Sequence, residues 1–363
     1  MKLQVTQENL NKALGSVSRV ASGRGTLPIL SNVLLKTIGN RLSIAATNLD
    51  IAITHFIGSK VEKEGSITVP ARLMQDFVAS LPSGVIDIDL DENKLHISTD
   101  KYQSTINGVS AEEFPVMPAI TDGKTIKIDG KSLKLGLQQV VLAASNDESR
   151  PVLTGVSMQV YEGSLYLVAT DSYRLAEKVM TKTKETLDML VPASALQDLL
   201  RILGDFDGEV EIVHDDQQAL FKVGDVELVT RQIEGKYPDY RKLIPSKFEF
   251  TATLKRSELS NITKVSSLFA RESAGSITIN LDKKAQQVSI RSVASQLGEN
   301  TASAEASVSA DGTITLNSRY VLDALQCLSS DDVLFAFNGK LEPCVLKDPK
   351  STDYLHVIMP LKS

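Results

Sequence analysis

The stretch Gly163 to Leu175, GSLYLVATDSYRL, decides how the rest of the chain is read. Leu165, Leu167 and Ala169 alternate with Tyr166, Val168 and Thr170, and a Glu-Gly turn leads in, so the period of two predicts a strand. Gly39 to Ile51, GNRLSIAATNLDI, has the same construction, with Thr47-Asn48 standing 123 positions before Thr170-Asp171. A more worn third copy is Gln287 to Leu297, QVSIRSVASQL. A period this long is too large for a solenoid unit, so each repeat is expected to be a domain.

Other landmarks keep the interval. Pro151-Val-Leu-Thr-Gly-Val answers Pro28-Ile-Leu-Ser-Asn-Val, and Tyr237-Pro238 answers Phe114-Pro115. Within the first repeat, Leu10, Leu14, Val17 and Val20 fall on one helical face after Thr6 as N-cap, and Leu73, Phe77 and Val78 are expected inward on a second helix. Leu133, Leu137, Val140 and Ala144, then Leu196, Leu199, Leu200 and Leu203, repeat the pair. Leu259, Ile262, Val265 and Phe269, then Val321, Leu322, Leu325 and Leu328, repeat it again. Each repeat reads as two helices and roughly eight short strands. The expected fold class is α+β, three tandem domains spanning 1–120, 121–246 and 247–363, with helices on one side of antiparallel sheet.

At 363 residues the chain is long enough to split into several cores. No apolar run approaches a membrane span, and MKLQVTQENL lacks the apolar core of a signal peptide. Cys327 and Cys344 form no CxxC and are read as free thiols of a reducing cytoplasm, though they could pair. No HExxH, GxSxG or Walker sequence occurs. His55, His96, His214 and His356 are scattered, and Asp215-Asp216 and Asp331-Asp332 read as turns, so no metal, cofactor or catalytic residue is expected. Asp171 beside Arg174 is the one place where an enzyme reading could start, and it has no nucleophile–base pair.

The net charge of −6 argues against a generally basic nucleic-acid binder. The charge is unevenly divided, however. The predicted first helices carry +1, +2 and +3, through residues such as Lys12, Arg19, Lys131, Lys134, Lys255 and Arg256, while the second helices are neutral. Everything else is correspondingly acidic, which suggests helices that face an anion. A repeat of this length makes a sphere about 35 Å across. Six such spheres in a ring leave a hole of about the same width, enough for a nucleic-acid duplex with water around it. Three domains make half a ring, and two chains head to tail would close it through one heterologous interface used twice.

TLPILSN (26–32), VPAR (69–72), ATDSYRLA (169–176), YPDYRKLIP (237–245) and the terminal VIMPLKS together resemble the β subunit of bacterial DNA polymerase III, the sliding clamp family, over the whole chain. The resemblance implies a non-enzymatic processivity factor of DNA replication. It implies a homodimeric ring around double-stranded DNA and a pocket that takes a short apolar motif from the replicative polymerase, the clamp loader and other partners. By motif, that pocket would use Leu153, Thr170, Ser172, Tyr173, Arg174, Leu175, Pro238, Lys242, Leu243, Val357, Met359, Pro360 and Leu361, with Asn317 and Tyr320 on a second shelf. Arg174 and Lys242 are expected at its rim. Arg24, Arg72, Lys131, Lys134, Arg150, Lys255 and Arg256 are expected to face DNA. Lys101, Gln103 and Ile106 of one copy would meet Leu268, Phe269, Glu299 and Glu305 of the other, an apolar centre with charges outside it. The family often has Gly-His where this chain has Ser172-Tyr173, and a Gln and a Tyr near DNA where it has Asp147 and Val152. Tyr173 is therefore expected to narrow or gate the pocket mouth. A scaffold that binds peptides without encircling DNA is the alternative in a different class.

Overall fold

The computed structural model describes residues 1–21, 27–116, 120–295 and 298–361. Among them are six α-helices: α1 (Gln7–Val17), α2 (Ala71–Ser80), α3 (Gly130–Val140), α4 (Ala193–Leu203), α5 (Arg256–Phe269) and α6 (Ser318–Cys327). Every paired strand is antiparallel to its neighbour. The chain forms two compact units, Met1–Lys131 with Ser194–Gln232, and Ser132–Ala193 with Ile233–Ser363.

The first unit has a five-stranded and an eight-stranded sheet. The larger runs through Lys124–Asp129, Glu209–His214, Gln218–Val223, Val226–Arg231, Ile51–Gly58, Arg41–Thr47, Asn32–Ile38 and Ser66–Pro70. Strand Ile51–Gly58 shows why it holds: alternate side chains from Ile51 onward are buried, as one covered face requires. Its partner across repeats is Val226–Arg231, in register Leu228 with Ile53 and Thr230 with Ile51.

The second unit repeats the plan with a four-stranded and a nine-stranded sheet. Here Arg174–Lys182 pairs with Tyr354–Ile358, placing Leu175 opposite Val357. The strand read from QVSIRSVASQL is Gln287–Ala294; positions 296 and 297 lie outside the described residues.

The predicted helices are present, with buried Leu10, Leu14 and Val17 on α1 and Leu133 and Leu137 on α3. Thr6 is the N-cap of α1, but its hydroxyl makes no capping bond. Two inward assignments are corrected. Leu73 is exposed and Met74 takes the core position on α2. Val265 is exposed on α5, where the polar Thr263 and Ser266 are buried instead. Thr263 is accommodated because its hydroxyl donates to the Leu259 carbonyl at 2.7 Å.

The 123-residue interval is visible in the backbone. Leu49 and Ser172 both have left-handed conformations, φ 79° and 77°. Thr47 Oγ1 donates to Ile51 O at 3.0 Å, and Thr170 Oγ1 donates to Arg174 O at 2.6 Å. Asn48 Oδ1 accepts from the Asp50 and Ile51 amides, as Asp171 Oδ1 accepts from those of Tyr173 and Arg174. Such side-chain-closed turns satisfy backbone donors that a strand end leaves open.

Candidate functional site

The second of these turns is the centre of the candidate site, which lies wholly within the second unit. Strand Ser164–Thr170 ends at Thr170, the turn Asp171-Ser172-Tyr173 reverses the chain, and Arg174–Lys182 returns. The Tyr173 side chain is 59% exposed at the turn's tip. Its carbonyl accepts the Met359 amide at 2.8 Å, and the Leu361 amide donates to Thr315 O at 2.9 Å. The terminal segment Met359–Leu361 is therefore tied from the turn to strand Gly312–Asn317, with its three side chains half-buried.

Beneath lies an apolar cluster of Val168, Leu175, Tyr240, Val345 and Val357, against which Tyr237 and Ile244 pack. Burial pushes the phenols of Tyr237 and Tyr240 up, so both stay neutral. Leu153 is buried in the 3-10 turn Pro151–Thr154. A second 3-10 turn, Tyr240–Leu243, leaves Leu243 half-exposed. Lys242 points to solvent beside Asp239, at 2.8 Å, and Pro238 is exposed on the approach. The turn is anchored by Arg241, whose guanidinium lies 4.0 Å from the centre of the Tyr161 ring. Tyr173, Leu243 and Pro238 are thus exposed apolar groups of this unit, while Leu153, Leu175 and Val357 are buried in it.

Arg174 departs from the rim position expected for it. Its side chain is only 8% exposed and its guanidinium is fully engaged. It meets Asp171 at 3.1 Å, Asp323 of α6 at 2.5 Å and the Leu142 carbonyl at 2.6 Å, with the Tyr320 ring 4.6 Å away. It thus ties turn, helix and sheet together, and Lys242 is the exposed cation of the two. Asn317 accepts from the Arg319 amide as N-cap of α6 and donates to Ala274 O. Sequence reading missed Asp323 and Arg241, whose partners are remote in sequence or aromatic.

The residues expected to face DNA are variously engaged. Arg24 lies outside the described residues. Arg72 is almost fully exposed, and Lys131 is exposed 3.7 Å from Asp207. Lys134 is half-buried, and Lys255 pairs with Asp332 at 2.8 Å. Arg256 turns back to the Leu325 carbonyl in the last turn of α6 and to the Ser330 carbonyl past its end. Arg150 bonds Ser172 Oγ at 3.0 Å and Asp147 at 3.3 Å, which attaches it to the turn of the candidate pocket.

At the expected seam, Lys101 and Gln103 are exposed, but Ile106 is 5% exposed, already packed within its own sheet opposite Leu95. It is unavailable as an apolar centre. Leu268 is exposed on α5, Phe269 is half-buried, Glu299 pairs with Arg291 and Glu305 is exposed. Strands Gln103–Asn107 and Gly298–Glu305 are each the edge of their sheet.

Among the described residues, no group of three or more His, Cys, Asp or Glu is placed to hold a metal, and no helix is long and apolar enough to cross a membrane. Cys327 and Cys344 are buried free thiols, Cys327 pushed up to about 11 by burial.

Residues 1–118, 127–239 and 241–362 match, in turn, the N-terminal, central and C-terminal domains of the DNA polymerase III beta subunit. The chain belongs to the DNA polymerase III beta subunit family, the sliding clamps. It is 32% identical to the beta sliding clamp of a Synechocystis species, covering 100% of this chain and 99% of that one. The crystal structure of the Bacillus subtilis clamp superposes with a TM-score of 0.95 at 28% identity, covering 100% and 99% of the two chains. The Bartonella birtlesii clamp, solved bound to griselimycin, gives 0.96 at 28% identity, with both chains fully covered. Sliding clamps are non-catalytic processivity subunits, so the contact between Asp171 and Arg174 is read as structural.

Proposed function

We propose that two copies of this clamp, each made of domains 1–120, 121–246 and 247–363, close head to tail into a ring around duplex DNA in the cytoplasm. The ring slides without reading sequence and tethers the replicative polymerase, the clamp loader and other partners. Retention is topological: few contacts are needed with the backbone, and none with base edges. The observation that carries closure is that two of the open sheet edges among the described strands are Gln103–Asn107 and Gly298–Glu305, with exposed Leu268 on the helix packed against the latter. Open edges are templates for strand addition from another chain. Joining one edge to the other in a second copy uses both twice and leaves neither free.

Partner capture falls to the groove between Tyr173, Leu243 and Met359–Leu361. Its apolar lips and buried floor suit a short peptide with apolar anchors, and exposed Lys242 suits a neighbouring acid. Light scattering over a wide concentration range tests closure. The expected mass is twice 39.4 kDa, persisting on dilution, and Leu268→Glu should halve it. A wild type at 39.4 kDa throughout would leave an open half-ring.

A further inference from the structure

The 3-10 turn Tyr240–Leu243 has a held half and a presented half. Tyr240 is 4% exposed and Arg241 is half-buried, whereas Lys242 and Leu243 are exposed. The turn has little of its own to fix it. It is four residues long, the Ile244 amide donates to Arg241 O at 3.2 Å, and its N-cap Asp239 makes no capping bond. A 3-10 turn this short has poor hydrogen-bond geometry, so its place is set by what it packs on.

Two side chains do the holding. Tyr240 sits in the apolar cluster with Leu175 and Val357. Arg241 meets the hairpin of strands Gly155–Tyr161 and Ser164–Thr170. Its guanidinium lies 4.0 Å from the centre of the Tyr161 ring and 5.3 Å from that of Tyr166, and those two rings meet edge to face at 6.2 Å. The Tyr240 ring is 5.0 Å away. Among the described residues Arg241 makes no salt bridge, and its Nη2 is buried with no hydrogen-bond partner. The ring faces are therefore its principal contact. Glu177 is the buried acid nearby. Burial pushes its carboxyl up, and the Tyr240 hydroxyl and then Arg241 draw it back. Its hold on that hydroxyl is electrostatic and lies outside ordinary hydrogen-bond geometry.

We propose that Arg241 is a positioning residue for partner binding, held by the rings of Tyr161 and Tyr166 so that Leu243 is presented at a fixed place. This rests on the reading of the Tyr173, Leu243 and Met359–Leu361 groove as the partner site. The hairpin then acts on partner affinity through the turn, with Tyr161 as its outer contact. A direct role for Arg241 as the cation that meets an acidic partner is disfavoured, because it is half-buried among rings and the neighbouring Lys242 is the exposed cation. A planar guanidinium suits ring faces in a way an ammonium does not, so lysine is a poor substitute here. Without the clasp the turn is free, and the cost of ordering Leu243 falls on binding.

The test follows binding of the full chain to a fluorescent synthetic peptide with leucine and phenylalanine anchors and one aspartate, by anisotropy. Arg241→Lys, which keeps the charge, and Tyr161→Leu, which removes an exposed ring, should each weaken binding by about threefold to tenfold. Tyr161→Phe should recover most of the affinity lost in Tyr161→Leu. Leu243→Ala should cost less in the Arg241→Lys background than in wild type, a coupling that a general loss of stability does not produce. Melting curves check that each protein is folded at the assay temperature. If Arg241→Lys is not, Tyr161→Leu takes its place in the cycle. Wild-type affinity in Arg241→Lys or in Tyr161→Leu overturns the proposal, and so do losses that simply add to that of Leu243→Ala. The two readings fail differently. If Leu243→Ala alone leaves affinity unchanged, the groove is misassigned and this role falls with it. If Leu243→Ala weakens binding while Arg241→Lys does not, the groove stands and only the role of Arg241 falls.

Discussion

Arg174 donates to Asp323 Oδ2 at 2.5 Å, joining the turn after strand Ser164–Thr170 to helix α6 across 149 residues of chain. The arginine also satisfies Asp171 and the Leu142 carbonyl, so three separate backbone segments meet at one buried guanidinium. Removing one acceptor leaves a charged donor partly unpaired. Asp323→Asn should therefore lower stability by about 1.5–3 kcal/mol, the range for hydrogen bonds to charged groups. Urea unfolding should show the midpoint falling with little change in slope. Asp323→Glu should recover part of the loss, and equal midpoints in all three proteins would contradict the role.

Tyr173 presents an exposed ring next to the anchored terminal segment. Truncation to alanine removes an aromatic lip without touching the core. Tyr173→Ala should weaken binding of an apolar clamp-motif peptide by about 1–2 kcal/mol while leaving the melting temperature unchanged. Unchanged or tighter peptide binding would mean that the ring obstructs the groove and does not line it.

Deleting Met359 to Ser363 removes the two backbone bonds from Met359 and Leu361 and three half-buried side chains. The preceding strand Tyr354–Ile358 keeps its pairing with Arg174–Lys182. Peptide binding should be lost, at a folding cost of about 2–4 kcal/mol from the two bonds and the apolar burial. Complete unfolding would show that these residues belong to the core; retained peptide affinity would remove them from the groove.

His356 is fully buried, and its pKa is pushed down to about 3 by burial and then by the charge of Arg174. The unfolded chain takes up a proton near pH 6.5, whereas the folded chain resists until about pH 3. The stability from a neutral His356 is thus fully present above pH 6.5 and drains as pH falls toward 3, at up to about 1.4 kcal/mol per pH unit. His356→Gln should remove this slope. The difference between wild-type and variant urea midpoints, measured from pH 7 to pH 4, should shift steadily against the wild type as pH falls. Parallel curves would mean the imidazole is protonated in the fold.

The sequence carried local relationships well and remote ones poorly. The turns at Thr47 and Thr170 were legible because their hydrogen bonds close within four residues, so the repeat that defines the fold could be read directly. Leu10 and Leu14 were legible through helical period. Period alone turns Leu73 and Val265 inward although both are exposed, because it does not say how wide the buried stripe is. Arg174 reads as a rim cation in the sequence because its partners Asp323 and Leu142 lie far along the chain. Ile106 reads as available to a partner because nothing local in the sequence shows that Lys94–Ser98 pairs with its strand and sets Leu95 opposite it. Lys12 and Arg19 are legible as charge on one helical stripe, but nothing in their spacing announces Arg201 or His55, which line one cavity with them.

The central claim is that the clamp holds DNA by enclosing it. The most direct measurement loads the protein onto a nicked circular duplex, isolates the complex by gel filtration at moderate salt, and then cuts the circle once. Encirclement predicts retention on the circle and rapid loss after linearisation, because the ring slides off a free end. Equal retention on circle and linear product would contradict it, leaving chemical affinity as the means of attachment.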